Sequence, residues 1–135
     1  MALHLSDAVQ TRLRQEKIAW LTTVRPDGLP QPTPIWFLWD GASLLIYSKP
    51  DARKIRNLRA HPAVAFHLNS DEWGGTILVL WGGAVVDSKA PPVTGNAAYI
   101  EKYRQGIADI GMTPEEMAAE YSAAIRITPE RVREE

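Results

Sequence analysis

The chain has 135 residues, 45% of them hydrophobic and 23% charged, with a net charge of −1. That balance suits one folded domain with a real core and excludes wholesale polyanion binding, so no nucleic-acid partner is expected. There is no cysteine, which excludes disulfides, thiolate metal sites and a cysteine nucleophile. No apolar run approaches the ~18–20 residues of a membrane span, and the first residues do not read as a secretory signal. A cytoplasmic protein without a membrane span is the expectation.

Ser6 can cap a first helix running to about Glu16, along which Leu5, Val9 and Leu13 recur every four residues. The run 18–24 has the β-branched and aromatic content of a strand. Arg25-Pro26-Asp27-Gly28 is a turn in which Pro26 fixes φ and Gly28 tolerates positive φ. A second strand follows from Pro32 to Trp39. Pro30, Pro32 and Pro34 cannot donate ladder bonds, so its first half should lie at an edge or be irregular. Asp40-Gly41 predicts a hairpin into a third strand, Ser43 to Ser48.

Lys49-Pro50 stops that strand, and Asp51 is a suitable N-cap for a helix carrying Arg53, Lys54, Arg56, Asn57 and Arg59. A strand running into a helix start gathers unpaired backbone N–H groups and cations, an arrangement that suits anions. The bland alternative is a solvated basic helix with Ile55 and Leu58 packed inward.

Pro62 precedes a fourth strand, Ala63 to Leu68, and residues 69–75 read as a loop. Thr76 to Val86 is strongly β but interrupted by Gly82-Gly83, which marks a bulge, a bend or a close approach to the backbone. After a proline-containing linker, a helix is expected from Asn96 to Gln105. A second one is opened by Thr113-Pro114-Glu115-Glu116, which has capping-box spacing. Ser122 to Ile127 is the last strand, and Thr128-Pro129-Glu130 reads as a terminal turn. Six strands in hairpin order predict a mainly β protein with flanking helices, a six-stranded antiparallel barrel or strongly curled sheet. Some of the five tryptophans belong in the core, and ordinary barrel packing is favoured for any single one, but five in a chain this short leave room for an aromatic subunit interface or ligand wall.

His4, His61 and His67 lie in different elements without metal-ligand spacing, and no nucleophile elbow, dinucleotide fingerprint or P-loop is present. With no side chain marked as acid or base, an enzyme on this sequence would rely on a bound cofactor for its reactive centre.

Taken together, residues 19–30 (Ala-Trp-Leu-Thr-Thr-Val-Arg-Pro-Asp-Gly-Leu-Pro), Pro34-Ile35-Trp36-Phe37, Ile46-Tyr47-Ser48, Lys54-Ile55-Arg56-Asn57-Leu58, Gly82-Gly83 and Ile125-Arg126-Ile127-Thr128-Pro129 closely resemble the pyridoxamine 5′-phosphate oxidase-like split barrels that bind flavins and deazaflavins. Within them the short chain is similar to the reductases that use coenzyme F420, a deazaflavin with a phosphate and an oligoglutamate tail. The resemblance implies a single split-barrel domain over residues 1–135, a homodimer with cofactor sites at its interface, and hydride transfer to a small-molecule acceptor. It places Ser48, Lys49, Lys54 and Asn57 at the cofactor phosphate, with Arg53, Arg56 and Arg59 as further candidates for phosphate or tail carboxylates. It lays Pro34, Ile35, Trp36 and Phe37 along the ring system. An FMN oxidoreductase of the same type and a non-catalytic flavin- or deazaflavin-binding protein are the alternatives.

Overall fold

The computed structural model describes residues 3–135. Helix α1, Asp7–Gln15, is capped by Ser6 and buries Val9 and Leu13. Then follow strands β1 (Ala19–Val24), β2 (Pro30–Ile35), β3 (Leu38–Trp39) and β4 (Leu44–Ser48), helix α2 (Arg53–Ala60), and strands β5 (Ala63–Leu68) and β6 (Leu78–Val86). A single 3-10 turn at Val93–Gly95 leads into helices α3 (Ala97–Asp109) and α4 (Pro114–Glu120), and β7 (Ala123–Glu134) ends the chain.

The strands form one antiparallel sheet in the order β2-β1-β5-β6-β7-β4-β3. There are seven strands rather than the expected six, because the predicted strand from Pro32 to Trp39 is broken in two. Its first half pairs with β1, with Ala19 opposite Ile35. Its second half pairs with β4, with Leu38 opposite Leu45. Those partners are the second and sixth strands of the order, so the two halves form its opposite edges. Trp36 and Phe37 are therefore the link that curls the sheet and joins its edges as a split barrel. β2 is an edge strand, and its three prolines fall on alternate positions, opposite Val24, Thr22 and Trp20. Their nitrogens share the open side of the strand, so Gln31, Thr33 and Ile35 are left to bond β1 and no ladder donor is lost.

The last strand is longer than expected. Thr128-Pro129-Glu130 is no terminal turn: β7 pairs with β6 along its length, with the register shifting at Trp81/Gly82. The bulge takes the proline into the strand, and Gly82 lets the two backbones meet there, since a β-carbon would be driven into the carbonyl of Thr128. Gly82 thus sits at the bulge and close approach expected of Gly82-Gly83, and the segment facing it is strand rather than the expected turn.

β4 is buried on both faces. Leu44 and Ile46 belong to the barrel interior with Phe37, Phe66, Leu80 and Ile125. Leu45 and Tyr47 face a second apolar cluster built with Tyr99, Tyr103 and Ile107 of α3 and Met117 of α4. This second layer makes the wall of the candidate site. No helix among the described residues is long and apolar enough to cross a membrane.

Candidate functional site

A line of three adjoining concavities runs past β2, α2 and the α3–α4 layer. The first, about 290 Å³, is walled by Pro34, Ile35 and Trp36 on one side and by Tyr47, Tyr99 and Tyr121 on the other, with Lys54 on its lining. Lys54 also borders the second, about 240 Å³, together with Arg53, Gln31 and Thr33. Gln31 and Arg53 continue into the third, about 380 Å³, where Arg25, Arg56 and Asn57 join them. One end of the line is thus aromatic and the other cationic.

The cationic end owes its character to how α2 begins. Asp51 does not cap the helix: the N-cap is Ala52, which offers no side-chain hydrogen bond, and the first turn holds no acid. The chain turns once more after Pro50, so α2 starts a residue later than Asp51 would allow, and its first N–H groups stay open. Among the described residues no carboxylate pairs with Arg53, Lys54 or Arg56; Arg25 pairs with Asp27 at 2.7 Å. Partial burial lowers the Lys54 pKa, and no opposing charge offsets the desolvation. A half-buried cation without a counter-ion favours an anion that would take its place.

The residues singled out from the sequence fall into two groups. Pro34, Ile35, Trp36, Arg53 and Lys54 line the groove. Lys49 is exposed at the end of β4, with its ammonium 5.7 Å from the centre of the Tyr121 ring. Asn57 borders the cationic end but is buried, its amide donating to Thr23 Oγ1 at 3.0 Å and Gln31 Oε1 at 2.8 Å. It clamps α2 to β1 and β2 and holds Gln31 in the groove. Ser48 is fully buried and donates to the Lys49 carbonyl at 2.9 Å, so its hydroxyl is spent locally. Phe37 turns into the barrel, edge-on to Phe66 with centroids 5.0 Å apart. Arg59 lies outside all three concavities.

Tyr47, Tyr99 and Tyr121 of the aromatic wall are not among the residues expected from the sequence: the helix carrying Tyr99 is, but its docking against β4 is not. The only clue was the i, i+4, i+8 series Tyr99, Tyr103, Ile107, which reads equally well as an ordinary core face. Helix α3 also fixes the β2–β3 link. The Tyr103 hydroxyl accepts from Phe37 N at 2.9 Å and lies 2.7 Å from the carbonyl of Lys17. The Lys102 ammonium donates to Phe37 O at 2.9 Å and Leu13 O at 3.3 Å. Burial, with Lys17 nearby, lowers the Lys102 pKa to about 8.

The chain matches the family model described as pyridoxamine 5′-phosphate oxidase over residues 5–135. It belongs to that family. No curated protein matches it in sequence. Among solved structures of this fold, an F420 reductase is 27% identical with a TM-score of 0.75, the match covering 97% of this chain and 100% of that one. A FAD-binding protein from Mesorhizobium loti is 21% identical (TM-score 0.65; 95% and 92% covered). The heme storage protein HutZ from Vibrio cholerae is 20% identical (TM-score 0.66; 99% and 95% covered). The last two matches speak for the fold alone. The family thus supports the flavin-binding split-barrel type, and no group of metal-ligating side chains occurs among the described residues.

Proposed function

We propose that this family member is an oxidoreductase that transfers a hydride between reduced coenzyme F420 and a small organic acceptor. The observation that carries the reading is the unpaired, half-buried Lys54, flanked by Arg53 and Arg56 and opening on one side to an aromatic cavity. These residues fit a coenzyme that is anionic at one end and a flat ring at the other. Arg53, Lys54 and Arg56 would hold phosphate and tail carboxylates, the arginines with the option of bidentate contacts. Pro34, Ile35 and Trp36 would border the ring. When bound, the coenzyme supplies the redox chemistry; the chain binds it, orients it and excludes water with its aromatic wall.

FMN brings a phosphate and a tricyclic ring as well, but its single phosphate needs fewer cations than this groove presents. The 27% identical F420 reductase supports the deazaflavin. Titration with coenzyme F420, a tail-truncated form and FMN, followed by quenching of tryptophan fluorescence, tests the choice. Tighter binding of the full coenzyme is expected, and FMN binding at least as well would remove the assignment.

The second copy of a homodimer is the proposed cover for the outer sheet face. There a concavity of about 550 Å³, lined mostly by apolar residues of β1, β5 and β6, lies beside Trp81. Trp81 is 39% and Val85 59% exposed, an unpartnered apolar area that suits self-association. Sedimentation at micromolar concentration should give a dimer, and a 15.0 kDa species alone would overturn this.

A further inference from the structure

Gln31 stands at the junction of the two cationic concavities and lines both. Its side-chain oxygen is taken. Asn57 Nδ2 donates one proton to Gln31 Oε1 at 2.8 Å and the other to Thr23 Oγ1 at 3.0 Å. Asn57 and Thr23 are both buried, so they form a fixed point at the base of the groove. The two ends of a planar amide diverge, and an oxygen held on Asn57 leaves the nitrogen facing elsewhere. No group among the described residues accepts from Gln31 Nε2, and no fully enclosed polar side-chain atom there lacks a partner. The nitrogen must therefore border open space, and the open space that Gln31 borders is the cationic groove.

This orientation runs against the local charge. Arg25, Arg53 and Arg56 share the lining of the third concavity with Gln31, and no carboxylate does. A free amide among guanidinium groups turns its oxygen toward them, because an arginine only donates and the amide nitrogen cannot accept. The bond from Asn57 removes that choice. Gln31 adds two N–H donors to the groove and no acceptor. A rim of donors alone selects a group that only accepts, which is the chemistry of a deprotonated oxyanion. The amide carries no charge, so its part in binding rests on distance and direction.

We infer that the Gln31 amide nitrogen donates a hydrogen bond to a phosphate or carboxylate oxyanion in the cationic groove, and that Asn57 is the positioning residue that turns it there. The inference rests on the reading of this groove as the anion end of the site, and adds an uncharged donor to Arg53, Lys54 and Arg56. Asn57 thereby acts on binding through Gln31 and without touching the ligand.

The test needs no coenzyme. Binding of pyrophosphate and of γ-linked triglutamate is measured by calorimetry on the wild type, Gln31→Met, Asn57→Ala and the double variant, below their thermal midpoints. Methionine keeps the length of the side chain and removes the donor. Gln31→Met should weaken at least one probe about tenfold, the low end for a hydrogen bond to a charged group. The probe affected tells phosphate from carboxylate. Asn57→Ala should weaken the same probe about three- to tenfold when Gln31 is present and leave it unchanged in the Gln31→Met background, since coupled residues do not add. No loss in Gln31→Met for either probe, equal losses from Asn57→Ala in both backgrounds, or no binding of either probe by the wild type would overturn the inference. Coenzyme F420 is titrated separately. If it fails to bind the wild type while the probes behave as expected, the proposed function falls and the Gln31 donor stands; if it binds while the probes fail, the reverse holds.

Discussion

The indole of Trp36 lies flat on the ring of Tyr103, their centroids 4.6 Å apart and their planes 2° from parallel. This contact joins α3 to the link between β2 and β3, and so sets the wall of the groove from the helical layer. Gly106, one helical turn further along α3, leaves the space for it: a β-carbon there would stand 3.1 Å from the indole. Helix packing, barrel closure and site shape therefore share one residue.

Removing the Tyr103 hydroxyl isolates its hydrogen bonds from its stacking. In Tyr103→Phe the N–H of Phe37 loses its acceptor and the Lys17 carbonyl a donor, both near the buried link. Unsatisfied buried groups cost about 1–3 kcal/mol. Urea unfolding should show a loss in that range. A change below ~0.5 kcal/mol, the usual size for surface positions, would mean the link is held by packing alone.

For Asn57, which the resemblance places at the cofactor phosphate, the geometry predicts a mainly structural effect. Its amide is used up by Thr23 and Gln31, so Asn57→Ala should lower stability by about 1–3 kcal/mol. It should weaken coenzyme binding less than removal of a groove cation does. Measured well below the variant's transition temperature, a binding loss larger than that of Lys54→Ala would return Asn57 to direct ligand contact.

The pH dependence of stability follows from α3. Lys102 has its folded pKa lowered from 10.5 to about 8, so between those values the unfolded chain binds more protons and stability rises with pH. The contribution is complete above 10.5 and absent below about 8. A neutral amine still has donors for Phe37 O and Leu13 O, so losing the charge relieves desolvation without giving up both bonds. Tyr99 and Tyr103 have raised pKa values, and their contribution is lost as pH climbs past the ordinary tyrosine value of about 10. Stability should therefore rise from pH 8 to near 10 and then fall. Denaturant midpoints for the wild type and Lys102→Met test this, and the rising limb of the variant should be shallower, what remains coming from Lys54, whose pKa is also lowered by burial.

Much of the barrel was legible because its signals are local. Alternating prolines mark β2 as an edge, Asp40-Gly41 makes the turn before β4, and Thr113 with Glu116 forms the capping box of α4. The misread parts depend on partners distant in sequence. Trp36-Phe37 breaks a strand because α3, more than sixty residues on, bonds the Phe37 backbone. Pro129 is admitted to β7 by Gly82 across the bulge. In the site, the cations of α2 were readable as a cluster, since helical spacing is fixed. Which of them would lack a counter-ion was not, because that depends on where every acid ends up. Ser48, Phe37 and Asn57 are buried, and their contacts to the Lys49 carbonyl, to Phe66, and to Thr23 and Gln31 depend on neighbours that the sequence does not display. The tyrosines of the wall carry no motif and become visible only when the helical layer is placed.

The most direct test of the account is coenzyme F420 affinity for Lys54→Ala against a cation far from the groove, at two salt concentrations. The exposed Lys89 serves as that control. If Lys54 receives a coenzyme anion, its truncation should cost about 1.5–3 kcal/mol, roughly ten- to a hundredfold in affinity, while Lys89→Ala stays within twofold or so of the wild type. Equal losses in the two variants, or none in Lys54→Ala, would contradict the placement of the site.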